Sequence, residues 1–234
     1  MSKFKLEATI NEDGVERKLD LVALGNYDAI VDAYGDLDEV TVVDVSSNYD
    51  PVAIWLLAQA EDGYDFAVAA DEVLTAISEV SEDVVEELFS SDNVKFPVDA
   101  LITLRDCSYD DDEILNAFEA FGLPYAIDAL RDGNFEIMPD VFDDEDLGTH
   151  FVKELGLPSD YTAYLDTDAM LEDVRSELDD DDDVDDDELL EQIYEVHDGD
   201  DDFFTAYFDY EAYGHDLYGD YTGGYTDGGF YYMT

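Results

Sequence analysis

Acidic side chains outnumber basic ones by 65 to 9 in this 234-residue chain, so any fold it adopts must carry a formal charge of -56. Repulsion on that scale usually leaves a chain disordered, because highly acidic sequences hold too few apolar residues to offset the entropy of folding. Here 46% of the residues are apolar, with 17 Tyr, 13 Phe and 1 Trp among them. A core is therefore within reach, and the chain reads as folded. Its charge repels nucleic acid and anionic membranes and steers it toward cationic partners. Neither direct nucleic-acid binding nor membrane attachment is expected.

Cys107 is the only cysteine, which excludes an intrachain disulfide and points to a reducing compartment. The N-terminus turns acidic almost at once, with no apolar run of the signal-peptide kind. The densest apolar stretch, residues 52–60, falls far short of the roughly 20 residues a membrane span needs. A soluble, cytoplasmic protein is expected.

Alternating polarity over residues 3–10 and, less cleanly, 15–24 predicts a hairpin around the turn at 11–14. A helix at 27–34 and a β-branched strand at 40–45 complete a small α/β unit over 1–48. From Asp50, a candidate N-cap followed by Pro51, the period becomes helical: 50–60, 70–80, 81–90, 110–121 and 125–131, with a possible strand at 100–104. That gives a helical domain over 49–132. A strand at 134–138 and a helix from 143 to 155, stopped by Gly156, open an acidic α+β domain over 133–234. Within it, Leu171, Val174 and Leu178 form one helical stripe, and Leu189, Ile193 and Val196 another. The aspartate run 179–187 reads as a solvated loop, and the Tyr/Gly tail 218–233 as a final hairpin. The expected class is α+β, in three parts and elongated.

The chemistry-bearing residues do not assemble into a catalytic motif. Carboxylate pairs occur everywhere, so no pair stands out as an acid/base dyad. His150, His197 and His215 lack helical zinc spacing, Cys107 has no cationic neighbour, and no glycine-rich loop precedes Lys and Ser or Thr. An EF-hand register starting at Asp179 puts Val184 sixth and Leu190 twelfth; one starting at Asp198 puts Phe203 and Asp209 there. Neither supplies the glycine and glutamate required. No enzyme activity, cofactor or dedicated metal site is expected. Three readings of the acid remain: a shell adapted to high salt, an acidic chaperone or cation buffer, and imitation of DNA. Duplex DNA carries one charge per about 1.7 Å of axis, so -56 equals roughly 95 Å of duplex. Helical carboxylates spaced i, i+4, such as Glu191 with Glu195 and Asp173 with Glu177, sit about 5–6 Å apart, close to phosphate spacing.

The stretch Tyr207-Phe208-Asp209-Tyr210-Glu211-Ala212-Tyr213-Gly214-His215-Asp216-Leu217 resembles the signature of the ArdA antirestriction family. Asp132-Gly133-Asn134-Phe135 through Pro139, then Asp144-Glu145-Asp146-Leu147-Gly148, is similar to that family's approach to its last domain, and the helices over 73–121 look more loosely like its central one. The resemblance implies an elongated DNA mimic, encoded by a phage, plasmid or conjugative element. It would occupy the DNA-binding groove of type I restriction-modification enzymes in the host cytoplasm and dimerise through its C-terminal region. The mimic surface is then expected at Asp143, Asp144, Glu145, Asp146 and Glu154 on the 143–155 helix and at Asp173 and Glu177. It continues through Asp185, Asp186, Asp187, Glu188, Glu191 and Glu195 to Asp209, Glu211 and Asp216 of the signature. Tyr207, Phe208, Tyr210 and Tyr213 are the expected homodimer interface. Two departures stand out: His215 occupies an arginine position, and 158–202 looks like an insertion.

Overall fold

The computed structural model describes residues 4–34, 40–60, 63–177 and 185–234. The protein is α+β and divides into two compact units, Met1–Phe135 and Glu136–Thr234.

In the first unit, β1 (Leu6–Glu12) and β2 (Val15–Asp20) form the expected hairpin. Its turn residues, Asp13 and Gly14, both take positive φ (53° and 81°), the geometry whose twist matches two antiparallel strands. Leu6, Ala8 and Ile10 alternate inward. The 15–24 run is shorter as a strand than expected, because Asp20 caps a helical turn, α1 (Leu21–Leu24), that ends at Gly25 with φ 80°. After α2 (Tyr27–Tyr34), β3 (Val40–Ser47) pairs with the other edge of β1, giving the order β2-β1-β3. Six helices follow: α3 (Asp50–Ala58), α4 (Gly63–Glu79), α5 (Glu82–Ser90), α6 (Pro97–Asp106), α7 (Asp111–Phe121) and α8 (Leu123–Asp132).

Four expectations change here. Tyr49, not Asp50, is the N-cap of α3, and no side chain bonds there. The helix expected at 70–80 begins at Gly63. Residues 100–104 are helical: Pro97 opens α6, and Val98, Leu101 and Leu104 are buried at three-residue spacing. The boundary expected near 48 falls inside one hydrophobic core, in which Leu6, Ile10, Ile30 and Val42 join Val52, Leu56, Phe66 and Val73. A single sheet must bury its apolar face against another layer, and α3 and α4 help to supply it.

The second unit takes up the chain within β4 (Phe135–Met138) and continues through α9 (Asp144–Leu155), a 3-10 turn at Tyr161–Tyr164, α10 (Thr167–Glu177), α11 (Asp186–Val196), α12 (Asp201–Thr205) and α13 (Tyr210–Tyr218). The tail hairpin is present as β5 (Gly223–Thr226) and β6 (Gly229–Met233), in a sheet ordered β4-β6-β5. One core gathers Val141, Leu147 and Phe230 under Tyr218, Tyr221, Tyr225 and Tyr232. Another packs Met170, Leu171, Leu189, Ile193 and Phe204 against Tyr161, Tyr194 and Tyr207. The region expected as an insertion, 158–202, therefore shares a core with Phe203, Phe204 and Tyr207. Leu178 and residues 179–184 of the expected loop lie outside the described residues. Val196, assigned to the apolar stripe, is 76% exposed, because α11 ends there and its packed face stops at Ile193. Among the described residues, no helix is long and apolar enough to cross a membrane.

Candidate carboxylate surface

Glycine sets the platform. Gly148 of α9 and Gly214 of α13 meet where the helices cross. A Cβ at Gly148 would overlap the Tyr210 carbonyl, and one at Gly214 the Asp144 carbonyl. The two backbones thus touch directly, and the N-terminal ends of α9 and α13 come to lie side by side. Both ends begin with acid, as helix dipoles favour. Asp143 caps α9 by accepting from the Asp146 N–H (2.9 Å), and Asp146 accepts from the Phe142 N–H (3.1 Å). Asp209 caps α13 by accepting from the Ala212 N–H (2.9 Å).

Asp144 is the junction. It accepts from the Tyr225 hydroxyl at 2.7 Å, and His215 Nδ1 lies 3.0 Å from its other oxygen. Asp216, on the same helix, accepts from the Tyr164 hydroxyl at 3.0 Å. Two open hollows adjoin at Asp144 and Glu211. One, of about 310 Å³, is lined by Asp143, Asp144, Glu145, Glu211 and Tyr225. The other, of about 480 Å³, is lined by Asp144, Tyr164, Asp209, Glu211, His215 and Asp216 among others. Six of the nominated carboxylates are therefore gathered from two segments more than 50 residues apart. Glu154 is not among them. It is exposed near the far end of α9, about 15 Å along the axis from Asp144.

A second group lies on α10 and α11. Asp185 caps α11 through the Asp187 N–H (3.1 Å), and Asp186 pairs with Arg175. Asp173 accepts from the Tyr207 hydroxyl at 3.1 Å. Glu188, Glu191 and Glu195 are exposed at spacings of three and four along α11, so they form one stripe. The Glu177 side chain, expected to pair with Asp173, lies outside the described residues.

No family model, curated protein or solved structure matches this chain. Among the described residues, no group of three or more His, Cys, Asp or Glu is placed to hold a metal ion.

The aromatic residues expected at a dimer interface are engaged within the chain. Phe208 is only 6% exposed, its ring 5.2 to 5.8 Å from those of Tyr164, Tyr210 and Tyr213, so its side chain is taken up inside the chain. Backbone bonds from Asp166 to Tyr207 (2.8 Å) and from Asp209 to Tyr164 (2.7 Å) fasten this segment beside residues 164–166. Tyr210 donates its hydroxyl to the Thr205 carbonyl (3.3 Å), and Tyr213 is half-buried against Tyr164.

Sequence reasoning missed the tyrosine–carboxylate bonds altogether. A fourth joins Tyr232 to Glu136 at 2.6 Å, a residue not nominated at all. These pairs lie 34 to 96 positions apart, and no local pattern announces them. The hydroxyls of Tyr164, Tyr225 and Tyr232 hold their protons more tightly than usual. Burial and then the Glu136 bond push Tyr232 up to about 12. Burial and then Asp144 raise Tyr225, and the Asp216 bond followed by burial raises Tyr164.

Proposed function

We propose that the chain is a DNA mimic that occupies the DNA-binding groove of a type I restriction-modification enzyme, as a stoichiometric inhibitor without catalysis. One observation carries the reading: among the described residues, carboxylates on α9 and α13 are ordered by backbone, hydroxyl and imidazole donors, with no lysine or arginine bonded to them. Residues 136–234 hold 33 of the 65 acids but only two basic residues, Lys153 and Arg175. The charge is thus fixed in place and left uncompensated, as a phosphate array is. A solubility shell needs the charge but not the order. The choice of a type I enzyme, and with it the host cytoplasm, rests on the resemblance at 207–217 and is part of the proposal.

Inhibition follows from physical terms alone. Long-range attraction between the acidic surface and a basic groove speeds encounter, and rising salt slows it. Each exposed carboxylate contributes little, so the effect is collective. The test titrates the protein into a type I enzyme holding a fluorescently labelled duplex with its recognition sequence. Duplex should leave in proportion to protein added, with a stoichiometric end point. Changing Glu145, Glu188, Glu191, Glu195 and Glu211 to Gln in growing combinations should weaken displacement step by step, because none of these side chains caps a helix or holds a hydroxyl among the described residues. Enzyme–duplex binding untouched at stoichiometric excess, or an activity that turns over, would sink the proposal.

A further inference from the structure

We infer that four tyrosines, Tyr164, Tyr207, Tyr225 and Tyr232, are positioning residues that hold Asp216, Asp173, Asp144 and Glu136 as preorganised phosphate stand-ins; this rests on the DNA-mimic reading above. A charged surface meant to fit a rigid groove faces two conflicting demands. A free carboxylate on a helix samples several rotamers, and binding must freeze them. A lysine or arginine would fix the rotamer but cancel the charge. A tyrosine hydroxyl resolves the conflict, because it donates one hydrogen bond to a carboxylate and adds no charge. Its ring also buries apolar area at small entropic cost, since it has only two side-chain torsions.

The second unit repeats this device. The four hydroxyl–carboxylate distances are 2.6 to 3.1 Å, and each bond ties together segments remote in sequence. Rings of the same residues pack against other aromatic rings: Tyr225 lies 5.0 Å from Phe230, Tyr232 5.0 Å from Tyr221, Tyr164 5.1 Å from Tyr213, and Tyr207 5.3 Å from Phe203. The oxygen end of each tyrosine is thus fixed by packing before it meets the carboxylate. Tyr218 supplies an internal control. It packs in the same aromatic core, yet its hydroxyl donates to the Gly223 carbonyl at 3.4 Å.

The consequence is kinetic. Association depends on total charge, which a Tyr→Phe change leaves alone. Dissociation depends on how well the charges are placed once docked. Stopped-flow binding of the full chain to a type I restriction-modification enzyme should therefore give an unchanged association rate for Tyr164→Phe, Tyr207→Phe, Tyr225→Phe and Tyr232→Phe. Dissociation should quicken a few-fold for each, and by about ten-fold or more for the four together. Tyr218→Phe, which also loses a hydroxyl bond, should leave both rates alone. Equal acceleration by Tyr218→Phe, or a fall in association rate with dissociation unchanged, overturns the positioning role while the mimic reading stands. A second readout needs no enzyme: three-bond couplings report whether the Asp144, Asp173 and Asp216 side chains keep one χ1 rotamer. Averaging in the Tyr→Phe variants, with wild-type protein failing to displace duplex, would retain the positioning role and discard the proposed function. Couplings unchanged by the substitutions overturn the inference whatever the enzyme does.

Discussion

The two units handle acid in opposite ways. In Met1–Phe135, carboxylates are met by cations: Arg17 pairs with Glu12, Lys18 with Glu7, Arg105 with Asp106, and Arg131 with both Asp128 and Asp132. The core beneath is largely aliphatic. Among the described residues of Glu136–Thr234, Arg175 pairs with Asp186, His197 and His215 lie beside Asp200 and Asp144, and four tyrosine hydroxyls hold carboxylates, above cores rich in aromatic rings. A cation pair lowers repulsion and removes charge. A hydroxyl bond orders the carboxylate and keeps the charge outside. The composition follows from this difference, because a unit that may not use lysine or arginine must find its donors among tyrosines, histidines and backbone N–H groups.

Glycine separates the units most sharply. Gly25 in the first unit serves a left-handed turn, with its nearest crowding atom at 3.9 Å. Gly148 and Gly214 in the second serve a helix crossing, where a methyl group would collide with backbone. Gly25→Ala should cost about 1–2 kcal/mol, the strain of a left-handed residue. Gly214→Ala should cost about 3 kcal/mol or more, since backbone cannot step aside as a side chain can. Urea unfolding followed by amide signals from each unit measures both. A Gly214→Ala loss no larger than that of Gly25→Ala would break the contrast and with it the fixed spacing of the two acidic helix ends.

Salt gives the next largest effect. The second unit carries 33 acids against 2 basic residues in 99 positions, the first 32 against 7 in 135. Screening relieves repulsion between exposed charges beyond a Debye length of about 10 Å at 0.1 M salt. Added potassium chloride should therefore slow hydrogen exchange more at β6 amides than at β1 amides. Equal protection of both strands would show that the second unit's charge is too dispersed to strain it.

Much of this frame was legible in the sequence, and the losses share a cause. The first hairpin, the start of α9 at Asp143, its stop at Gly156 and the tail hairpin were readable because turn, cap and alternation signals act within a few residues. Residues 100–104 misled because a run of Ala, Leu, Ile, Thr and Leu suits a buried strand or a buried helix equally, and Pro97 decided the matter from outside it. The surface was half legible. Asp143 and Asp185 could be seen as helix-start acids, whereas the helix that Asp209 caps was not expected, and the hydroxyl partners of Asp144, Asp173 and Asp216 come from distant segments. The burial of Phe208 was not legible for the same reason, since nothing in its own neighbourhood reveals the Tyr164 ring against it.

Alkaline titration sharpens the contrast through the tyrosines themselves. Tyr34 in the first unit is raised by burial alone, whereas Tyr232 is raised to about 12 by burial and by Glu136. A folded-state value above the unfolded one favours folding while the hydroxyl stays protonated. That contribution is complete below about pH 10 and is lost as pH rises through about 12. Glu136→Gln should bring the Tyr232 titration, followed by ring carbon shifts, part of the way back toward 10, because burial remains. It should leave Tyr34 where it is. A Tyr232 titration unmoved by Glu136→Gln would mean that the hydroxyl bond does not hold in solution.

The smallest effect belongs to the cation pairs of the first unit. Lys18 bonds Glu7 at 2.6 Å, and the bond raises the lysine, yet the two side chains are 62% and 42% exposed. Water and salt screen such a pair, and holding two flexible side chains together costs entropy. Lys18→Gln should therefore leave the melting temperature within error, although it removes one of only nine basic residues. Tyr232→Phe, which changes no charge at all, should lower it measurably, because its bond to Glu136 is anchored by a ring packed in a core. The ordering matters more than either value. If Lys18→Gln proves the more damaging, charge balance and not hydroxyl anchoring limits this fold, and the tyrosines of the second unit would be filling space alone.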